Sequence, residues 1–236
     1  MNSPSLFARD LFRFRLRMHL PSGTASVVNS PDGFKQTNGT GALVTPTGIP
    51  VPPAPDAVRE LADACVRFVE RAVGVKLDYE PETLPLLDHY LEQGRLIGAD
   101  KPETLLVLAH STGAYFGEVV RRRHPSWWHI TGDDPAAWQI ELEQVYLAFS
   151  PVQIVLDALL RSGEEAGDTE RFELQEEDRQ TVADRLAELP AVSHDEFYAP
   201  STRLEVIDIA VDVIRARHMS DDEADSVFHP EDYDRE

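Results

Sequence analysis

Within residues 102–162 the apolar spacing changes its period, and that change limits the possible folds more than any other feature of the chain. Leu105, Leu108, Thr112, Tyr115, Phe116, Val119 and Val120 recur at steps of three and four, which is one face of a helix. Pro102 suits a first helical turn, Asp100 or Lys101 stands at the cap, and Glu103 suits the positive helix end. Arg121, Arg122 and Arg123 complement the last turn and Pro125 stops it, so the spacing predicts one buried helix over 102–123. After the turn cluster Gly132-Asp133-Asp134-Pro135 the period falls to two. Trp138, Ile140 and Leu142 alternate with Gln139, Glu141 and Glu143, as in a strand that faces the core and runs antiparallel to 127–131. Val145, Leu147 and Phe149 alternate in the opposite phase, which calls for a bulge or short break near Glu143-Gln144. Pro151 then opens a helix with Ile154, Val155, Ala158 and Leu159 inward. Together these features define an α+β class: a mostly helical single domain with a small antiparallel sheet, its hairpin near 127–149.

The flanks read as helices. Residues 56–74 carry Val58, Leu61, Ala62, Cys65, Phe68, Val69 and Ala72 on one side, with Asp56 to cap and Gly74 to end them. A second helix is expected from Pro81 to Gln93, with Leu84, Leu87, Tyr90 and Leu91 inward and Gly94 as its stop. Asp88 and His89 are adjacent, so on a helix they point apart and make no dyad. Residues 163–173 form an acidic break, and 174–189 a helix with Val182, Leu186 and Leu189 inward. A loop follows, with Ser201 or Thr202 capping a last helix over 202–217 that is apolar around much of its girth. From Ser220 the composition is acidic and predicts a disordered tail. The domain plan is an arm (1–20), a Pro/Gly/Ser-rich linker (21–55), the α+β domain (56–217) and the acidic tail (218–236).

Charge narrows the classes of partner. The net charge is −20, and residues 164–236 alone hold 23 acidic and 7 basic side chains. Such a surface repels polyanions, which argues against non-specific nucleic-acid binding. No run is long enough to span a membrane. The single cysteine, Cys65, makes no internal disulfide, and with no signal-peptide pattern a reduced cytoplasmic setting is expected. Against this background the arm stands out: Phe12, Phe14, Leu16, Met18 and Leu20 alternate with Arg13, Arg15, Arg17 and His19. A segment with one apolar and one basic face suits docking on an acidic sheet, either the chain's own or that of another copy or partner. The arm is therefore the expected contact to an unknown protein partner or a homo-oligomer, through Arg13, Arg15 and Arg17.

Candidate chemistry is sparse. Ala109-His110-Ser111-Thr112-Gly113 resembles the nucleophile elbow of α/β-hydrolases, in which a sharp strand-to-helix turn exposes a serine. Ser111 would then need His194 or His218 as base and Asp157 or Asp195 as acid. The helical period runs through Ser111 without a reset, so the expected reading is a small residue inside a helix, with Gly113 permitting close packing. Glu118 is crowded by Phe116 and Val119 and needs a partner if buried, for which Arg121 and Arg203 are the candidates. Trp127, Trp128 and Trp138 would flank the same region, either as core or as walls of a small-ligand site, with Trp127 and Trp138 as the site candidates. The eight histidines form no zinc spacing, no calcium loop or phosphate loop is present, and neither a metal nor a cofactor is expected.

LDYEPETLPLLDHYL, AYFGEVVRR, the Trp-containing hairpin and EFYAPSTRLEVIDIAVDVI resemble a family of bacterial proteins of unknown function from actinobacterial and myxobacterial genomes. The resemblance covers about residues 56–217. It implies a shared fold and carries no activity. The functional expectation is a cytoplasmic binding or scaffold protein acting through protein–protein contacts. The alternatives are a serine hydrolase using Ser111 and a small-ligand-binding domain.

Overall fold

Helix α3, Pro102–Arg123, is the element on which the two helices before it and the one after it pack. A computed structural model describes residues 52–98, 101–161, 169, 171–220 and 226–233. The arm with Arg13, Arg15 and Arg17, and the linker up to residue 51, lie outside the described residues. α3 begins at Pro102 after Lys101, ends with the His124 N–H donated to the Val120 carbonyl, and buries every residue from Ser111 to Arg121. A helix buried on all sides is central, and each fully buried Leu or Phe there contributes about 1.5–3 kcal/mol.

Helix α1, Asp56–Val73, packs along α3, and Gly74 ends it at a φ of 79°. Val58, Ala62, Cys65, Val66 and Val69 are buried, whereas Phe68 and Ala72, expected inward, lie on the exposed side. They fall at the margin of the buried stripe, where Val66 takes the place instead. Asp56 does not cap the helix; Pro55 holds that position, and Asp56 pairs with Arg59 at 2.7 Å.

A 3-10 turn at Pro81–Thr83 leads into α2, Leu84–Gly98. The helix runs past Gly94, so Gly94 is not its stop. A Cβ on Gly94 would lie 2.4 Å from Leu108 Cδ2, and one on Gly98 would lie 2.5 Å from Leu105 Cδ2. Both glycines allow α2 and α3 to approach closely, as an antiparallel hairpin. Before α2, Tyr79 takes a left-handed φ of 67°, held by its N–H bond to the Tyr115 hydroxyl at 2.9 Å and by stacking of the two rings at 4.7 Å. The Arg122 guanidinium covers the other side of Tyr79 at 3.9 Å.

The sheet has four antiparallel strands in the order β1-β2-β3-β4: Ser126–His129, Gln139–Leu142, Leu147–Phe149 and Glu173–Leu174. Trp128 pairs with Ile140, and Trp127 with Glu141. Trp138, Ile140 and Leu142 are buried as expected, and the break between β2 and β3 falls at Glu143–Tyr146. Glu141 is buried too, so the strand is covered on both faces. β4 straddles the expected boundary between the acidic break (163–173) and the helix from 174, and two residues are too few to show an alternation.

Helix α4, Pro151–Leu160, packs on α3. Helix α5, Glu176–Ala187, starts two residues later than expected and leaves Leu189 beyond its end and partly exposed. A one-turn helix, α6, His194–Phe197, stands where a loop was expected, set by a capping box between Ser193 and Glu196. Helix α7, Pro200–Ser220, extends past both expected ends. Its N-terminus is capped from a distance: Asp88 of α2 accepts the backbone N–H and the hydroxyl of Ser201. The tail is not featureless either: residues 226–233 are described and end in a 3-10 turn, Pro230–Tyr233, with Tyr233 buried.

Candidate functional site

Glu118 sits on the second turn from the end of α3 and is bound from two elements. Arg121 donates to Glu118 Oε1 at 2.7 Å, and the Trp128 indole N–H donates to the same oxygen at 2.7 Å. Arg121 is 1% exposed and also donates to the Pro52 carbonyl at 2.6 Å. Gly117 makes room for this arrangement, since a Cβ there would meet the Trp128 ring at 2.4 Å. The expected pairing with Arg121 holds. Arg203 is not part of the cluster: its Nε donates to the Phe197 carbonyl at 2.7 Å and its guanidinium lies 3.8 Å over the Phe197 ring. Trp138 donates to the Gly132 carbonyl at 3.3 Å and closes the hairpin loop, and Trp127 points to the opposite sheet face. Of the three tryptophans expected near Glu118, Trp128 is the one that bonds to it. Its phase relative to Ile140 carries that information once the register is known. A carboxylate held by two donors, one of them a buried guanidinium, fixes a strand to a helix.

The elbow reading fails at the backbone. Ser111 is inside continuous helix, and its hydroxyl donates to the Val107 and Leu108 carbonyls at 2.9 and 3.1 Å. The sharp strand-to-helix turn that would expose a serine is absent there. The proposed partners are engaged elsewhere. His218 lies 3.8 Å from the buried Asp178, His194 packs against the edge of Tyr198, Asp157 is held by Arg171 at 2.6 Å, and Asp195 lies 3.5 Å from Arg161.

The outer face of the sheet gathers more polar chemistry than the Glu118 centre. The register puts Trp127, His129, Glu141, Ala148 and Glu173 on one side. Glu141 is 1% exposed, accepts the Trp127 indole N–H at 2.6 Å and lies 3.4 Å from His129 Nδ1. The Tyr146 hydroxyl donates to Glu173 at 3.1 Å. Tyr233 reaches this face from the C-terminal segment. Its hydroxyl accepts the Leu147 N–H at 3.0 Å and lies 2.7 Å from the Leu142 carbonyl and 2.9 Å from that of Val145. The ring stacks on Tyr146 at 4.5 Å and meets Trp127 edge-on at 5.9 Å. Burial pushes the Tyr233 phenol well above its ordinary range, and the nearby Glu141 adds to the rise. Sequence reasoning missed this contact because the acidic composition of the tail outweighed two aromatics. Phe228 and Tyr233, in an otherwise polar run, were the available signal.

A third feature is apolar. The Gly94–Leu108 and Gly98–Leu105 contacts put residues 96–97 and 106–107 at one end of the α2–α3 hairpin. There Leu96 is 65% exposed, Ile97 74%, Leu106 47% and Val107 57%. Among the described residues no group of His, Cys, Asp and Glu is arranged to hold a metal ion, and no helix is long and apolar enough to cross a membrane. No protein-family model matches the chain, and neither a curated protein nor a solved structure is significantly similar to it.

Proposed function

We propose that this chain is a cytoplasmic binding or scaffold protein that works through protein–protein contacts and performs no catalysis. The observation that carries the reading is the apolar end of the α2–α3 hairpin, where four large aliphatic side chains stand 47–74% exposed. Single exposed apolar residues are ordinary, but a group of four at one helical tip is the composition of a contact surface. The basic arm, with Arg13, Arg15 and Arg17, adds a second contact element of opposite charge to the acidic body. The resemblance to the bacterial family rests on the motifs quoted above and supplies no activity of its own.

A photo-crosslinking residue placed at Val107 tests the reading in cells. The expected result is a discrete cross-linked protein, lost when Ile97→Glu and Leu106→Glu are introduced together. Cross-links that are absent, or unchanged by the charged pair, would remove the hairpin tip as a contact surface.

A further inference from the structure

The bend between β2 and β3 is built around a hydroxyl group. Sheet pairing lapses from Glu143 to Tyr146, and the Leu142 carbonyl, the Val145 carbonyl and the Leu147 N–H converge on one point. All three would be unsatisfied in a buried place without a partner, which is costly for backbone groups. The Tyr233 hydroxyl partners two of them at once: it accepts from Leu147 and donates its one proton to one carbonyl, 2.7 Å away at Leu142 or 2.9 Å away at Val145. Phenylalanine, leucine or a charged side chain would leave the three groups unmet or add a buried charge. The slot is therefore selective for a phenol.

The rest of the contact is slight. Phe228 packs edge-on against Tyr146 at 5.8 Å, and its N–H donates to the Glu143 carbonyl at 2.8 Å. Between the two anchors His229, Pro230, Glu231 and Asp232 are exposed. Two aromatic anchors five positions apart, one main-chain bond and an exposed run between them are how a linear segment binds a folded surface. A segment held by so few buried contacts belongs to the part of a fold that opens locally before the core does.

We infer that the β2–β3 bend, walled by Trp127 and Tyr146, is a peptide-docking slot occupied in cis by residues 226–233, and that its partner is a protein segment carrying an aromatic residue five positions before a tyrosine. The own segment is the template for that chemistry and also its competitor. Because it belongs to the same chain, it competes intramolecularly, and a partner engages only when it outcompetes that segment. The slot lies on the sheet and requires nothing from the hairpin tip.

The test uses the full chain and a fluorescent peptide of residues 224–236, read by anisotropy. Tyr233→Ala empties the slot, and the peptide is expected to bind this variant about tenfold or more tightly than wild type, where the chain's own segment competes. Tyr→Phe in the peptide is expected to weaken binding about tenfold, because the Leu147 N–H and the carbonyl that takes the phenol proton lose their partner. Equal binding to wild type and Tyr233→Ala would overturn the inference. If Tyr233→Ala does not fold, hydrogen exchange on wild type decides: the Leu147 and Phe228 amides are expected to exchange well ahead of those of α3. Protection of Leu147 equal to that of α3 would overturn the slot. A wild-type mass that doubles with concentration and returns to monomer in Tyr233→Ala or Phe228→Ala would assign the slot to a second copy's tail and overturn the partner.

Discussion

The Trp128 indole N–H donates to the Glu118 carboxylate at 2.7 Å, which ties the first strand of the sheet to the last turns of the central helix. Glu118 also carries the charge that balances Arg121, 1% exposed. Glu118→Ala is expected to cost about 3–5 kcal/mol in urea unfolding, since it strands a buried guanidinium. Glu118→Gln keeps an acceptor for Trp128 and is expected to lose less. Losses under about 1 kcal/mol for both would mean that the pair behaves as a solvated one.

Gly113 faces the start of α4, and a Cβ there would lie 2.7 Å from Val152 Cα and 2.9 Å from its N. A Gly→Ala change inside a helix ordinarily gains up to about 1 kcal/mol. Gly113→Ala is expected to reverse that sign and destabilise by about 1–3 kcal/mol, because backbone, not a flexible side chain, must move. Thermal unfolding of the variant checks it, and a raised midpoint would show that α3 and α4 have slack.

Burial pushes the Asp88 carboxyl up to about 6, against the two hydrogen bonds from Ser201, and Glu205 adds to the rise. The folded chain therefore keeps this proton to a higher pH than the unfolded chain, whose value is about 3.9. The contribution favours folding below about pH 4 and is lost as the pH rises through about 6. Asp88→Asn, which does not titrate, is expected to gain stability relative to wild type across that interval. Urea melts at several pH values report the difference, and one that stays flat with pH would count against a raised carboxyl.

Ser111 donates its hydroxyl to its own helix and is 1% exposed. A fluorophosphonate probe is expected to leave it unlabelled in the native chain. Ser111→Ala is expected to change stability by no more than about 1 kcal/mol, one neutral hydrogen bond set against a better helix former. Stoichiometric labelling at Ser111 would restore the hydrolase reading.

Local rules made much of this fold legible from residues alone. The period of Leu105 to Val120 and the prolines at 102 and 125 bounded α3, and the alternation of Trp138, Ile140 and Leu142 placed β2 with its buried side. These features depend on neighbours a few positions apart, so the chain states them directly. The partner of Glu118 three residues on, Arg121, was legible for the same reason.

What the sequence did not state are choices made between distant segments. Gly94 has the residue type of a helix stop, yet α2 continues because Leu108 needs the space a side chain would fill. Arg203 turned to the Phe197 ring rather than to Glu118, and Trp128 rather than Trp127 reached the carboxylate, because strand register decides which face each indole takes. Ser201 had the look of a cap, but the carboxylate that caps α7 comes from Asp88, 113 positions earlier. Tyr233 had no local reason to be ordered and is held by backbone groups that only the β2–β3 bend leaves unpaired. By itself the sequence determined periods, caps and charge, which act over one or two turns. Only the tertiary structure decided which unpaired group meets which donor, because desolvation makes each such pairing depend on what the whole fold brings within about 3 Å.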